Sequence, residues 1–117
     1  LFKLMANSFI NKKVDLTTTD LTTLYTVPTA KTSVIKSLLV SDDSGSGTTI
    51  TITLVDASSN IFNLFKTKTI SGNATTELLT NPLVMEESEV LKVQAADANE
   101  LHVIASILEI QPREVTT

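Results

Sequence analysis

The chain has 117 residues, the length of one domain, with 19 Thr and 11 Ser against 9 Lys plus Arg, no Cys and a net charge of −4. Without Cys there is no disulfide framework, thiolate nucleophile or Cys-ligated zinc, and with Arg113 as the only arginine there is no basic footprint for nucleic acid or an anionic membrane surface. The 42% hydrophobic and 19% charged content is a globular balance, and no apolar run approaches the roughly 20 residues that span a bilayer.

Threonine is β-branched and stiff at its first side-chain torsion, so it suits a pleated strand better than a helix. With 3 Gly and 3 Pro in the chain, the turns fall mainly to Asn, Asp and Ser. The start, residues 1–9, is apolar apart from Lys3 but lacks the long apolar core and small-residue cleavage site of a signal peptide. Met5-Ala6-Asn7-Ser8-Phe9 reads as a natural protein start, with residues 1–4 as extra upstream sequence; the alternative is a fragment. Residues 1–12 are expected to form an arm outside the domain, with the domain over 13–111 and a tail over 112–117. A first strand is possible over 13–19. A short one over 21–27 stops at Pro28, which has no backbone donor.

Residues 33–40 read as a strand buried on much of both faces, ended by the Asp-, Ser- and Gly-rich loop 41–47. The clearest strand is 48–55, where Ile50, Ile52 and Leu54 alternate with Thr49, Thr51 and Thr53. After the turn 56–60, residues 61–66 return as its hairpin partner. Residues 68–71 and 75–79 flank Gly72 and Asn73, and 82–85 lead into the acidic turn 86–89. Over 90–95, Leu91, Val93 and Ala95 point inward. A turn follows at 96–99, and 101–110, apolar on both faces, belongs in the centre of a sheet. Seven to nine short strands at near-regular spacing predict an all-β, antiparallel sandwich of jelly-roll type.

No constellation with catalytic spacing emerges. His102 lies on the final strand, and no G-x-S-x-G elbow offers it a serine, so it reads as structural. Asp42 with Asp43, and Glu86, Glu87 and Glu89, could hold a hard cation, but neither group has the spaced acids of a calcium loop; solvated turn acids explain both. Gly45-Ser46-Gly47 has no following Lys-Ser or Lys-Thr and is no phosphate cradle. Asn73-Ala74-Thr75 matches the glycosylation pattern and marks a surface loop. The expectation is therefore no enzyme, no cofactor and no metal. Six large apolar side chains crowd the first ten residues: Leu1, Phe2, Leu4, Met5, Phe9 and Ile10. They either cover the domain's own core or dock on a partner.

Several stretches carry a family resemblance: Met5-Ala6-Asn7-Ser8-Phe9, Thr23-Leu24-Tyr25-Thr26-Val27-Pro28, Thr51-Ile52-Thr53-Leu54-Val55-Asp56, Pro82-Leu83-Val84-Met85-Glu86-Glu87, Glu89-Val90-Leu91-Lys92-Val93 and Ile107-Leu108-Glu109-Ile110. Over most of residues 5–110 the chain resembles small virion proteins of tailed bacteriophages, especially those of marine and cyanobacterial hosts. Similar sequences tend to have Gly-Asp before the Leu-Lys-Val strand, where this chain has Ser88-Glu89. The resemblance implies a small β-sandwich on the outer surface of a head or on a tail, often oligomeric, with no catalytic residues to transfer. The expected role is a capsid decoration (cement) protein whose partners are the major capsid protein or other virion subunits, as a homo-oligomer with a trimer first. Phe2, Leu4, Met5, Phe9 and Ile10 are its candidate partner contacts. A tail, neck or fibre-associated protein is the alternative. From another class, a carbohydrate-binding sandwich would need an aromatic platform, with Tyr25, Phe62 and Phe65 as candidates.

Overall fold

The computed structural model describes residues 2–3, 7–111 and 115–116, and every regular element among them is a β-strand. The strands are β1 (Phe2–Lys3), β2 (Asn7–Asp15), β3 (Thr22–Thr26), β4 (Thr32–Asp42), β5 (Thr48–Val55), β6 (Ile61–Ile70), β7 (Thr75–Glu77), β8 (Leu83–Met85), β9 (Val90–Ala95), β10 (Leu101–Ile110) and β11 (Val115–Thr116). No helix among the described residues is long and apolar enough to cross a membrane.

All pairings are antiparallel, and the order identifies the architecture. One sheet runs β2-β10-β4-β7, with β8 also on β4; the other runs β3-β9-β5-β6. Count β7 and β8 as two pieces of one edge strand, and the sheets become 1-8-3-6 and 2-7-4-5, the double Greek key of a jelly roll. The break between the pieces has a local cause. Leu78 turns into the core while its N–H bonds the Leu38 carbonyl, and Pro82 has no donor with which to continue the ladder.

Alternation builds the core between the sheets. From the first sheet come Ile35, Leu38, Val40, Leu101, Val103, Ala105 and Ile107; the second supplies Ile50, Ile52, Leu91, Val93 and Ala95. The 48–55/61–66 hairpin forms with the expected inward residues. The returning strand runs on to Ile70, however, so 68–71 is its continuation and not a separate element. The loop is a turn closed by Ser59 N–H to the Asp56 carbonyl (2.9 Å), followed by Ser59 at φ 67°, and the Asp56 carboxylate accepts from the Ser58 and Asn60 N–H groups. Of the non-glycine residues with positive φ, Ser59, Asn73, Ser88 and Asn99 follow the expectation that Asn and Ser make the turns, and Ala30 and Thr67 depart from it.

The start of the domain needs correction. Residues 7–12 are not an arm. They belong to β2, which pairs with β10 from Asn7↔Ile110 to Asp15↔His102. The strand expected over 13–19 ends at Asp15. Ile10 packs against the core, whereas Phe9 on the opposite face is 78% exposed. Phe2 lies in β1, paired with Thr116 of β11, so the two chain ends run side by side. Leu1, Leu4 and Met5 lie outside the described residues, as do residues 112–114 and 117.

Candidate functional site

The sequence-predicted residues do not converge on one site. His102 stands between two carboxylates: Nε2 is 3.3 Å from Asp15 Oδ1, and Nδ1 is 3.7 Å from Asp43 Oδ2. With both ring nitrogens facing acids, neither is aimed at a hydroxyl in the manner of a general base. Asp42 is buried and works within its own loop. Its Oδ1 accepts from Ser44 N–H (2.8 Å), Ser44 Oγ (2.8 Å) and Gly45 N–H (3.1 Å). Burial pushes its carboxyl up, but these bonds and the Gly47 N–H outweigh that and hold it below its ordinary value. Oδ2 is buried without completing a hydrogen bond. Glu89 Oε1 caps its own turn through the Glu86 N–H (2.8 Å). Among the described residues, no group of three or more His, Asp or Glu is placed to hold a metal ion. Asn73 is exposed in a turn, as expected.

The aromatic platform is not assembled. Tyr25 is buried. A bulge between Thr23 and Tyr25 turns both Leu24 and Tyr25 inward, where strict alternation would leave one outside. The Tyr25 hydroxyl donates to Glu109 Oε2 (2.6 Å) and meets Ser33 Oγ at 2.7 Å, while Lys31 Nζ lies 3.2 Å from Glu109 Oε1. Burial raises the Glu109 carboxyl, but Tyr25 and Lys31 outweigh it and hold the group below the usual carboxylate range. Burial first, then the bond to Glu109, drives the Tyr25 hydroxyl well above its ordinary value. This network ties β3, β4 and β10 together. Phe62 is 51% exposed and Phe65 half-buried, both on β6.

What the structure does gather is two outer faces of opposite character. On the β3-β9-β5-β6 sheet the outward positions include Thr23, Thr26, Thr49, Thr51, Lys92 and Gln94. A cleft of about 300 Å³ is lined there by Thr19, Thr49, Thr51, Thr67 and Gln94 together with Ala95 and Ala96. On the β2-β10-β4 sheet, two outward rows are largely apolar, separated by the row Asn11, Ser106 and Ser37 and flanked by Asp15, His102 and Ser41. One is Lys13, Ile104, Leu39 and Glu77; the other is Phe9, Leu108, Val34 and Val84. Three of its apolar side chains are conspicuously open to solvent: Phe9 at 78%, Val84 at 59% and Ile104 at 40%. The sequence held the signal, since 33–40 and 101–110 are apolar on both faces. Residues 101–110 do lie in the centre of their sheet, whereas the outward face of 33–40, expected to be buried, is half open to solvent.

No family model matches the chain, and no curated protein matches it. Among solved structures, the chain is similar to the C-terminal family 22 carbohydrate-binding module of Clostridium thermocellum Xyn10B. The identity is 15% and the TM-score 0.41, over 97% of this chain and 88% of that one.

Proposed function

We propose that this chain is a structural protein of a tailed bacteriophage particle, a decoration (cement) protein that binds the major capsid protein at subunit junctions and reinforces the head shell. One observation carries the reading. The two chain ends pair as β1 and β11 in a two-stranded sheet of their own, and the sequence around β1 is apolar, with Leu1, Phe2, Leu4 and Met5. The chain thus offers an apolar attachment element at its termini while its jelly roll stays closed. The virion resemblance over residues 5–110 agrees with such a role, and the network around Glu109 serves stability and not chemistry. Many weak, repeated contacts add up on a symmetric lattice.

The test is binding of the purified chain to heads that lack it, followed by imaging of the decorated particle. Hundreds of copies over the shell support the reading. A few to dozens at the neck, tail or fibres would move it to the tail-associated alternative. No binding would sink both.

A carbohydrate-binding role is the second reading, favoured by the Thr- and Gln-lined cleft and the half-exposed Phe62. It lacks the Tyr25 platform, whose hydroxyl is taken up inside the protein. Glycan-array binding that is lost in Gln94→Ala would support it.

A further inference from the structure

We infer that the outer face of the β2-β10-β4 sheet is a self-association surface, and that two copies pack there face to face about a two-fold axis running along the strands between β10 and β4. The inference does not depend on the virion reading.

The argument starts from the order of side chains across the face. The row Lys13, Ile104, Leu39 and Glu77 begins with a cation on β2 and ends with an anion on β7, with apolar side chains between. A two-fold along the strands keeps each row level and reverses the order of strands. It therefore lays β2 of one copy over β7 and β8 of the other. Lys13 then faces Glu77 of the mate, Ile104 faces Leu39, Phe9 faces Val84, and Leu108 faces Val34. Every contact is made twice, as an isologous interface requires. A two-fold across the strands lays β2 over β2 instead. It leaves Lys13 opposite the apolar Phe9 end of its mate and gives Glu77 no cation. A cross-strand axis could pair Lys13 with Asp15 of the mate only by sliding off the Phe9 row, so with the whole face covered charge order favours the two-fold along the strands.

Area and edges agree. Three strands of nine or more residues and the broken β7/β8 edge span roughly 19 by 30 Å at ordinary strand spacing and rise. Two copies together cover about 1,100 Å², the size from which specific interfaces begin. Stacked sheets are a standard packing, and their usual crossing near −30° asks only for a slightly tilted axis. Edge-to-edge pairing through β2 is the less suitable route. Lys12 sits on the core side of that edge strand, opposite buried Ala105, yet remains exposed. An inward-directed charge of this kind discourages strand addition.

Sedimentation of the purified chain, well above micromolar concentration, tests the inference. The native chain is expected to be a dimer. Ile104→Asp and Val84→Asp should be folded monomers by circular dichroism and sedimentation. Lys13→Glu should weaken the dimer about tenfold, since the broken pair occurs twice. The Glu77 carboxylate also accepts from Ser37 Oγ and the Leu38 and Leu79 N–H groups of its own chain; adding Glu77→Gln, which keeps one oxygen for those N–H groups, should recover part of that loss by removing the repulsion. A native monomer, a native trimer, or a dimer that survives both aspartate variants overturns the inference. So does a double variant no tighter than Lys13→Glu alone.

Discussion

Tyr25 carries more of the fold than its place in a Thr-rich strand advertises. Its hydroxyl links Ser33 and the buried Glu109, and the carboxylate is anchored further by Lys31. Because Glu109 is held below its unfolded value, it stabilises fully above about pH 4.3. That contribution is lost as pH falls through the folded value. Tyr25→Phe should therefore cost about 1.5–3 kcal/mol at neutral pH, the range for hydrogen bonds to charged groups, and progressively less as Glu109 protonates. Thermal melts across an acid titration check this; a pH-independent cost would mean that lost packing and not the bond is responsible. A second residue can be improved. Ser88 has φ 70° in the turn closed by Glu89 N–H to the Glu86 carbonyl, and its own N–H bonds Val27. Positive φ only at the third turn position is the type II pattern, which wants Gly. Ser88→Gly should raise stability by about 0.5–1 kcal/mol, the left-handed penalty less the entropy of glycine, read from the melting midpoint. Neither residue's role was fully legible. The Ser88-Glu89 departure marked the turn as unusual but not its φ, and a bulge that buries two successive residues leaves no period in the sequence.

At the scale of elements, legibility followed alternation. The hairpin of β5 and β6 and the inward set of β9 were readable because apolar residues there recur every second position. β2 was not. Its core side runs Ser8, Ile10, Lys12, Val14, and the large Phe9 sits out of phase on the other face, so polar and apolar residues mix on both sides. The place of β2 in the sheet decides what a truncation will do. Deleting residues 1–6 removes β1, whose partner among the described residues is β11, and should leave melting unchanged within about 0.5 kcal/mol while, in the proposed role, weakening attachment to heads. Deleting residues 1–10 also removes four ladder positions opposite β10 and the core contact of Ile10. It should cost about 2–4 kcal/mol from lost burial and hydrogen bonds. Melting and head-binding assays on both truncations separate the roles. If the shorter deletion already destabilises the fold, the terminal pairing is structural; if it leaves binding intact, attachment lies elsewhere.

In the proposed role, an attachment element at the chain ends acts together with an outer sheet face suited to a second copy. The class of fold was legible in strand count and spacing. The strand order that makes β10 central and brings first and last strands together was not, because it depends on pairings across nearly the full chain length. That order has a functional consequence. A two-fold pair carries two terminal attachment elements, so once one is bound the second binds as an intramolecular event. Linked sites of this kind gain about 100- to 10,000-fold over a single site when the geometry lets both engage. Ile104 lies on the sheet face opposite Lys13 of β2, which is ten residues along the chain from Lys3 of the terminal β1/β11 pair. Ile104→Asp should therefore leave the attachment element intact, yet lower the affinity for undecorated heads by about 100-fold or more through lost bivalency. Binding isotherms of the native chain and Ile104→Asp, each with and without residues 1–6, resolve the two contributions. Bivalency requires the aspartate variant to matter much less once the terminal segment is gone, because no second attachment remains to be linked. Equal losses in both backgrounds would mean that the sheet face touches the shell directly, and the attachment surface would then be the apolar face itself.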